Sequence, residues 1–331
     1  MNAQLKRGQQ VTVIAYGGKF PTVTVVEDRG DIVLICKPAE YEEAIAELKR
    51  AQALAPNSDE VYWRMGNVYL SKGDMPHAIE SYQKAVQLNP YYWVNENSLG
   101  HVYYQTGEYD KALEAFKQVA TLEPDVNAGY VNSGTVLNQQ GKYAEAVPYL
   151  QKALQIEPDT NAYTNIGTAY FFLKRFAEAA DAFEKAVAIN SNDTQLFVNL
   201  GDAYRALGQK DKAQAAYQQA ISVGYKELQT NPQDAAVMAE IALSYAKVGN
   251  VQESETLIKR ARAQDKKDVT IAYIEVLISA QNGKQSQALT LLADALENHF
   301  PADYAENDPD LATLHDNPEF IKLIKKYSKK P

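Results

Sequence analysis

Ser58-Asp59-Glu60-Val61-Tyr62-Trp63-Arg64-Met65-Gly66-Asn67-Val68-Tyr69-Leu70 is the stretch that decides the fold. Tyr62, Met65, Gly66 and Tyr69 stand at i, i+3, i+4 and i+7, which is one face of a helix. Gly73-Asp74 breaks that helix. A second follows with Ala78, Tyr82 and Ala85 on its inner face, and it ends near Asn89-Pro90, where proline cannot continue it. Glycine inside a helix costs about 1 kcal/mol relative to alanine. Gly66 therefore implies a neighbour too close for a Cβ, and Ala78 implies the same on the second helix. The rings of Tyr69 and Tyr82 fill the space these small residues leave.

The unit returns along the chain. Gly66, Gly100, Gly134, Gly167 and Gly201 step by 34, 34, 33 and 34 residues. Twelve after each glycine stands Ala78, Ala112, Ala146, Ala179 or Ala213, and four further on Tyr82, Phe116, Leu150, Phe183 or Tyr217. A period of this size, with small residues at fixed points, signals stacked two-helix units. Pro56, Pro90, Pro124 and Pro158 end second helices, and Ser191 replaces proline once. Turn glycines stand at Gly73, Gly107, Gly141 and Gly208, with Lys174 at the remaining site. On these residues the chain resembles the tetratricopeptide repeat family from about Pro38 to Asn298. The resemblance implies an all-α superhelical solenoid of helix-turn-helix repeats.

The ends depart from the pattern. Residues 39–56 read as a half repeat, 59–222 as regular repeats and 235–298 as offset repeats. Pro232 arrives seven residues late, so Ile221–Asn231 adds roughly two turns to a helix at 3.6 residues per turn. Such an insertion is expected to set the units from Ala235 onward apart as a semi-separate stack. Val11–Tyr16, Thr22–Glu27 and Asp31–Cys36 are β-branched runs, so residues 1–38 are expected to form a small N-terminal β-meander. Residues 299–331 are expected to form a helical cap over Leu292 and Ala295, because Asp308-Pro309 and Asn317-Pro318 mark helix starts. Asn307 to Phe320, with the lengthened helix before Pro232, also resembles the C-terminal repeat region of some bacterial signalling proteins, where it accompanies a kinase, cyclase or DNA-binding domain.

Composition excludes several functions. The net charge is −9 and the lysines and arginines form no stripe, so no nucleic-acid partner is expected. No stretch approaches the ~20 apolar residues of a membrane span, and the start has no signal-peptide core. With Cys36 as the only cysteine, a cytoplasmic setting is expected, unless Met1 begins a fragment. His77, His101, His299 and His315 show no metal-ligand spacing. Tyr16-Gly17-Gly18-Lys19-Phe20 lacks the phosphate-loop frame, and no nucleophile elbow or kinase loop occurs. Glu42, Glu43 and Glu47 read as a solvated helix face. No catalysis, cofactor or metal is expected.

What remains is binding. In the family the resemblance points to, first helices line a concave groove, with positions beside the repeat glycine pointing in. That places Asn132, Asn165 and Asn199, two before their glycines, and Asn67, His101, Thr135, Thr168 and Asp202, one after theirs, on the groove. Asparagine both donates and accepts, so a ladder of three could grip the backbone of an extended peptide. Asp202 is expected to favour a basic residue of the partner, and Trp63 and Tyr104 an apolar one. Phe171 and Phe172 are candidates for apolar pockets, with at least one expected in the core. The expected function is a protein–protein interaction scaffold; the alternative is a regulatory module of a larger bacterial signalling enzyme. Neither reading fixes the oligomeric state.

Overall fold

The computed structural model describes residues 38–328, with side chains from Tyr41 onward; before them it gives only the backbone of short stretches. The β-meander expected over 1–38 falls largely outside the described residues. Two backbone segments there, Val23–Asp28 and Asp31–Ile35, run antiparallel, and Cys36 is not described. The fold is carried by helices.

Helix α1 (Pro38–Leu54) precedes a series of two-helix units. These are α2 (Asp59–Lys72) with α3 (Met75–Leu88), α4 (Trp93–Gln105) with α5 (Tyr109–Leu122), and α6 (Ala128–Gln139) with α7 (Tyr143–Ile156). Then come α8 (Thr160–Phe172) with α9 (Phe176–Ile189), α10 (Thr194–Ala206) with α11 (Lys210–Thr230), α12 (Ala235–Lys247) with α13 (Val251–Gln264), and α14 (Val269–Gln281) with α15 (Gln285–Glu297). A short α16 (Ala302–Asn307), a 3-10 turn over Pro309–Leu314 and α17 (Pro318–Tyr327) complete the described chain. The helices gather into two compact units, Met1–Val136 and Leu137–Pro331.

In the first unit the small residues act as the repeat implies. A Cβ on Gly66 would lie 2.5 Å from the ring of Tyr82, and one on Gly100 2.6 Å from that of Phe116. Ala78 and Ala112 are fully buried beside these rings. The close neighbour is thus a ring of the partner helix rather than its backbone. A backbone approach occurs at Gly129, outside the repeat pattern, where a Cβ would lie 2.5 Å from the Ala120 amide nitrogen. Ile45, Leu48, Met65, Tyr69, Leu99 and Val102 complete this core. Asn95 is buried within it and donates to Asp59 at 3.2 Å and to the Ala85 carbonyl at 3.4 Å.

The second unit repeats the device at Gly167 against Phe183 and Gly201 against Tyr217. Asp159, Asp193, Asp234 and Asp268 cap helices through their carboxylates, as side chains that accept from early helical N–H groups do. Where the other turns hold glycine with φ near +75°, this unit has Lys174 at φ +59°. Helix α11 has the expected extra length, at 21 residues. It does not set the later repeats apart: one buried cluster runs from Val198 and Ala220 through Met238, Ile271 and Leu292 to Ile324. The added turns pack rather than space. Val223 is buried, and Gly224 lets Ile241 and Thr194 come so close that a Cβ would lie 2.5 Å and 3.0 Å from them.

After α15 the chain turns at His299, whose φ is +72°. Asp308 and Asn317 cap the two proline-led starts, accepting from the N–H groups of Asp310 and Glu319 at 2.8 and 2.9 Å. Leu292 and Ala295 are fully buried. The tail returns to α8, α10 and α12.

Candidate functional site

In the first unit the residues expected on the groove meet in part. Asn132 donates its amide to the side-chain oxygen of Asn97 at 2.9 Å, and the same nitrogen lies 3.4 Å from His101 Nε2. Asn67 is held differently: the Tyr82 hydroxyl donates to its side-chain oxygen at 2.6 Å. Thr135 donates to the Val131 carbonyl of its own helix at 2.9 Å. Trp63 is half-buried and donates its indole N–H to Ser98 at 2.9 Å.

In the second unit Thr168, Asn199 and Asp202 line one cavity of about 310 Å³, at the small end of the ~300–1,000 Å³ usual for ligand sites. Gln195, Glu240 and Thr270 add polar groups, and Phe171, Phe172, Tyr273, Phe300 and Tyr304 supply aromatic walls. Asn165 does not line it; its amide donates to the Asn161 carbonyl at 2.9 Å. Asn199 accepts from Gln195 at 2.9 Å. Thr168 donates to the Thr164 carbonyl at 2.9 Å. Phe171 and Phe172 are both half-buried rather than one being core.

The tail supplies much of this wall. Phe300 stacks on Tyr273 with ring centres 4.0 Å apart, and Tyr304 packs edge-on to Phe172 at 4.8 Å. Phe172 in turn stacks on Tyr143 at 4.6 Å. Offset-stacked and edge-on pairs of this kind each contribute about 0.5–1.5 kcal/mol beyond area burial.

Beside the rings lies a group of charges in which Lys247 and Asp310 are buried and Arg205 is partly exposed. Lys247 is fully buried and donates to Asp310 at 2.5 Å and to Asp202. Arg205 also donates to Asp310 and lies 3.9 Å from Asp202. The Tyr217 hydroxyl donates to Asp202 at 2.6 Å. Burial alone would raise the Asp310 carboxyl, but Lys247 and Arg205 outweigh it and hold it below the ordinary carboxylate value. Burial pushes Asp202 upward, with Lys247 opposing. Burial would lower the Lys247 ammonium, yet Asp202 and Asp310 raise it. Asp308 accepts from the Tyr273 hydroxyl at 2.8 Å, and burial, then Asp310, push its carboxyl up to about 7. Asp202 is therefore engaged with this chain's own cations rather than with a basic partner residue.

Sequence reasoning missed Arg205, Lys247 and Asp310, since their contacts cross repeats. It also missed a signal that was present. Asn67 and Asp202 stand in the repeats whose inner ring is tyrosine, and each accepts that tyrosine's hydroxyl. His101 and Thr168 stand where the ring is phenylalanine, and His101 packs edge-on to Phe116 at 5.1 Å.

Models of the tetratricopeptide repeat match residues 60–92 and 96–126, 125–192 and 195–306, and a further TPR repeat model matches 40–73. No curated protein matches the sequence significantly. A tetratricopeptide repeat protein from Parabacteroides merdae is similar in structure, at 16% identity over 82% of this chain and 99% of that one, with a TM-score of 0.54. A chain of the APC/C hetero-tetramer Cut9–Hcn1 is 21% identical over 71% of this chain and 45% of that one, with a TM-score of 0.56. YrrB, described as a TPR protein with an unusual peptide-binding site, is 23% identical over 54% of this chain and 93% of its own, with a TM-score of 0.46. At these identities the likeness is one of fold.

Proposed function

This chain belongs to the tetratricopeptide repeat proteins, and we propose that it is a non-catalytic protein–protein interaction scaffold whose first helices hold an extended peptide or a partner protein. The observation that carries this reading is the cavity of the second unit. There Thr168, Gln195 and Asn199 set a few hydrogen-bonding groups among aromatic walls, the composition of a recognition site. Asn132 with Asn97 and His101 offers amide and imidazole groups on the matching register of the first unit. In this reading the groove residues are Asn67, His101, Asn132, Thr135, Asn165, Thr168, Asn199 and Asp202. The division into an N-terminal β-meander (1–38), a solenoid (39–298) and a cap (299–331) belongs to the same reading, as do a bacterial, cytoplasmic setting and the absence of nucleic acid and cofactors. Among the described residues no helix is long and apolar enough to cross a membrane.

The test is to capture a ligand by pull-down from native lysate and titrate it against the Asn132→Ala/Asn165→Ala/Asn199→Ala variant. Each lost hydrogen bond is worth about 0.5–1.5 kcal/mol, so affinity should fall at least tenfold. Unchanged affinity, with the helical content intact by circular dichroism, would remove the asparagines from the site. The alternative, a regulatory or sensor module of a larger kinase or cyclase, rests on the likeness of Asn307–Phe320 and the lengthened helix before Pro232, and none of the comparisons carries it.

A further inference from the structure

The tail of the second unit behaves as a bound segment would. It leaves α15 through His299, held at φ +72°, a backbone region that non-glycine residues adopt only under constraint. It then lays two aromatic rings against Tyr273 and Phe172, and a carboxylate, Asp310, against Arg205 and Lys247. The charges reveal what the wall itself is made for. The ion pairs of Arg205 and Lys247 run to Asp202 and Asp310. Asp202 belongs to the wall and Asp310 to the tail. Without the tail, two cations keep only one of their two carboxylates, and with it in place the Lys247 side chain is fully buried. A buried cation is tolerated only when paired. Arg205 supplies a second sign: its Nε is buried with no hydrogen-bond partner, so Asp310 does not use the whole guanidinium fork. A carboxylate that took Nε together with a terminal nitrogen would use it fully.

We infer that the wall bearing Arg205 and Lys247 is a docking surface for a partner segment that carries a carboxylate and an aromatic ring spaced as Asp310 and Tyr304 are, and that the chain's own tail from His299 covers it until such a segment displaces it. The inference rests on the groove-binding reading above and gives that groove's partner a chemistry. It reverses the charge expected from Asp202 alone, since that carboxylate is spent on Lys247 and the wall is left seeking an anion. Arg205 stands six residues, under two helical turns, beyond Asn199 on α10, and Lys247 stands on α12, so the clamp and the asparagines can be tested apart.

The probe is a fluorescent synthetic peptide with the sequence of His299–Asn317, titrated against the full-length chain by polarisation. Asp310→Asn weakens the built-in tail, so the variant chain should bind the peptide at least tenfold tighter than the unaltered chain does. A peptide carrying its own Asp310→Asn should lose at least tenfold on that variant. A folded variant that binds both peptides alike, or neither, overturns the inference. Hydrogen exchange on the unaltered chain covers the case in which the variant fails to fold. Amides of 300–314 should exchange at least tenfold faster than those of α12 and α14, because the tail opens by itself. Equal protection would make the tail an inseparable part of the core and overturn the inference as well. Failure of the peptide to bind, while a captured partner still senses the asparagine variant, removes this inference and leaves the broader reading standing; the reverse pattern removes the asparagines and keeps the clamp.

Discussion

Two stretches built from the same repeat use their inner faces differently. In residues 38–136 the side chains beside the repeat glycines turn to one another: Asn132 to Asn97 and His101, Asn67 to Tyr82. In residues 137–331 the corresponding face is crossed by the chain's own tail, and Asp202 is joined to Lys247, Arg205 and, through them, Asp310. The helices and their cores follow one rule in both. The chemistry of the inner face follows whatever segment comes to lie on it. A repeat register thus fixes where a residue points but not what it binds.

The largest test of this contrast is Lys247→Met. It leaves Asp202 and Asp310 as buried carboxylates with one cation fewer, and removing one member of a buried ion pair costs about 3–5 kcal/mol. Hydrogen exchange of the full chain should show α10, α12 and the tail losing protection while α2–α5 keep theirs. Uniform loss across both stretches would show that they do not open independently.

Stability against pH separates the stretches next. The Asp308 carboxyl, at about 7, lies above the ~3.9 of an unfolded aspartate. The folded state therefore binds more protons between those values, and this group's contribution is complete below pH ~4 and lost as pH rises to about 7. Asp310, shifted down, acts in the opposite sense, its contribution present above the unfolded value and lost in stronger acid. Residues 137–331 should lose on the order of 1 kcal/mol per pH unit across this window. Asp308→Asn, which keeps the cap, should flatten the slope; a slope that survives it belongs to another group, with Asp202 the first to examine.

Gly66→Ala and Gly201→Ala should behave alike. Each drives a Cβ into a tyrosine ring, at 2.5 and 2.4 Å, and each tyrosine is pinned by its hydroxyl. Overpacking of this kind costs about 1–3 kcal/mol. Denaturant midpoints that differ widely between the two would show that the shared core rule fails. The smallest effect belongs to Lys174→Gly, which relieves a left-handed lysine worth about 1–2 kcal/mol and gives part of it back to the freedom of the unfolded chain. A small rise in melting temperature is expected, and a fall would mean that the lysine side chain makes up for its backbone.

The repeat was legible because its glycines, alanines and rings are dictated by neighbours at fixed sequence distances. The long α11 was legible for the same reason, from the late Pro232. Its consequence was not, since nothing local shows that Gly224 would receive Ile241. The contacts beside the repeat glycines were half legible. The pairing of Asn67 with Tyr82 and of Asp202 with Tyr217 is written in the sequence as a correlation between positions fifteen apart. The return of Asp310 to Arg205 spans 105 residues and leaves no periodic trace.

Lys247 has one more property, which concerns reagents rather than ligands. An amine that is fully buried between two carboxylates is protonated and out of reach of acylating agents, while Lys49 and Lys117 stand exposed on helix surfaces. In a timed labelling series Lys247 should be modified among the last of the lysines, at a pace set by how often the tail lifts. Its rate of labelling is a clock for that motion, read in the unaltered protein without any probe attached.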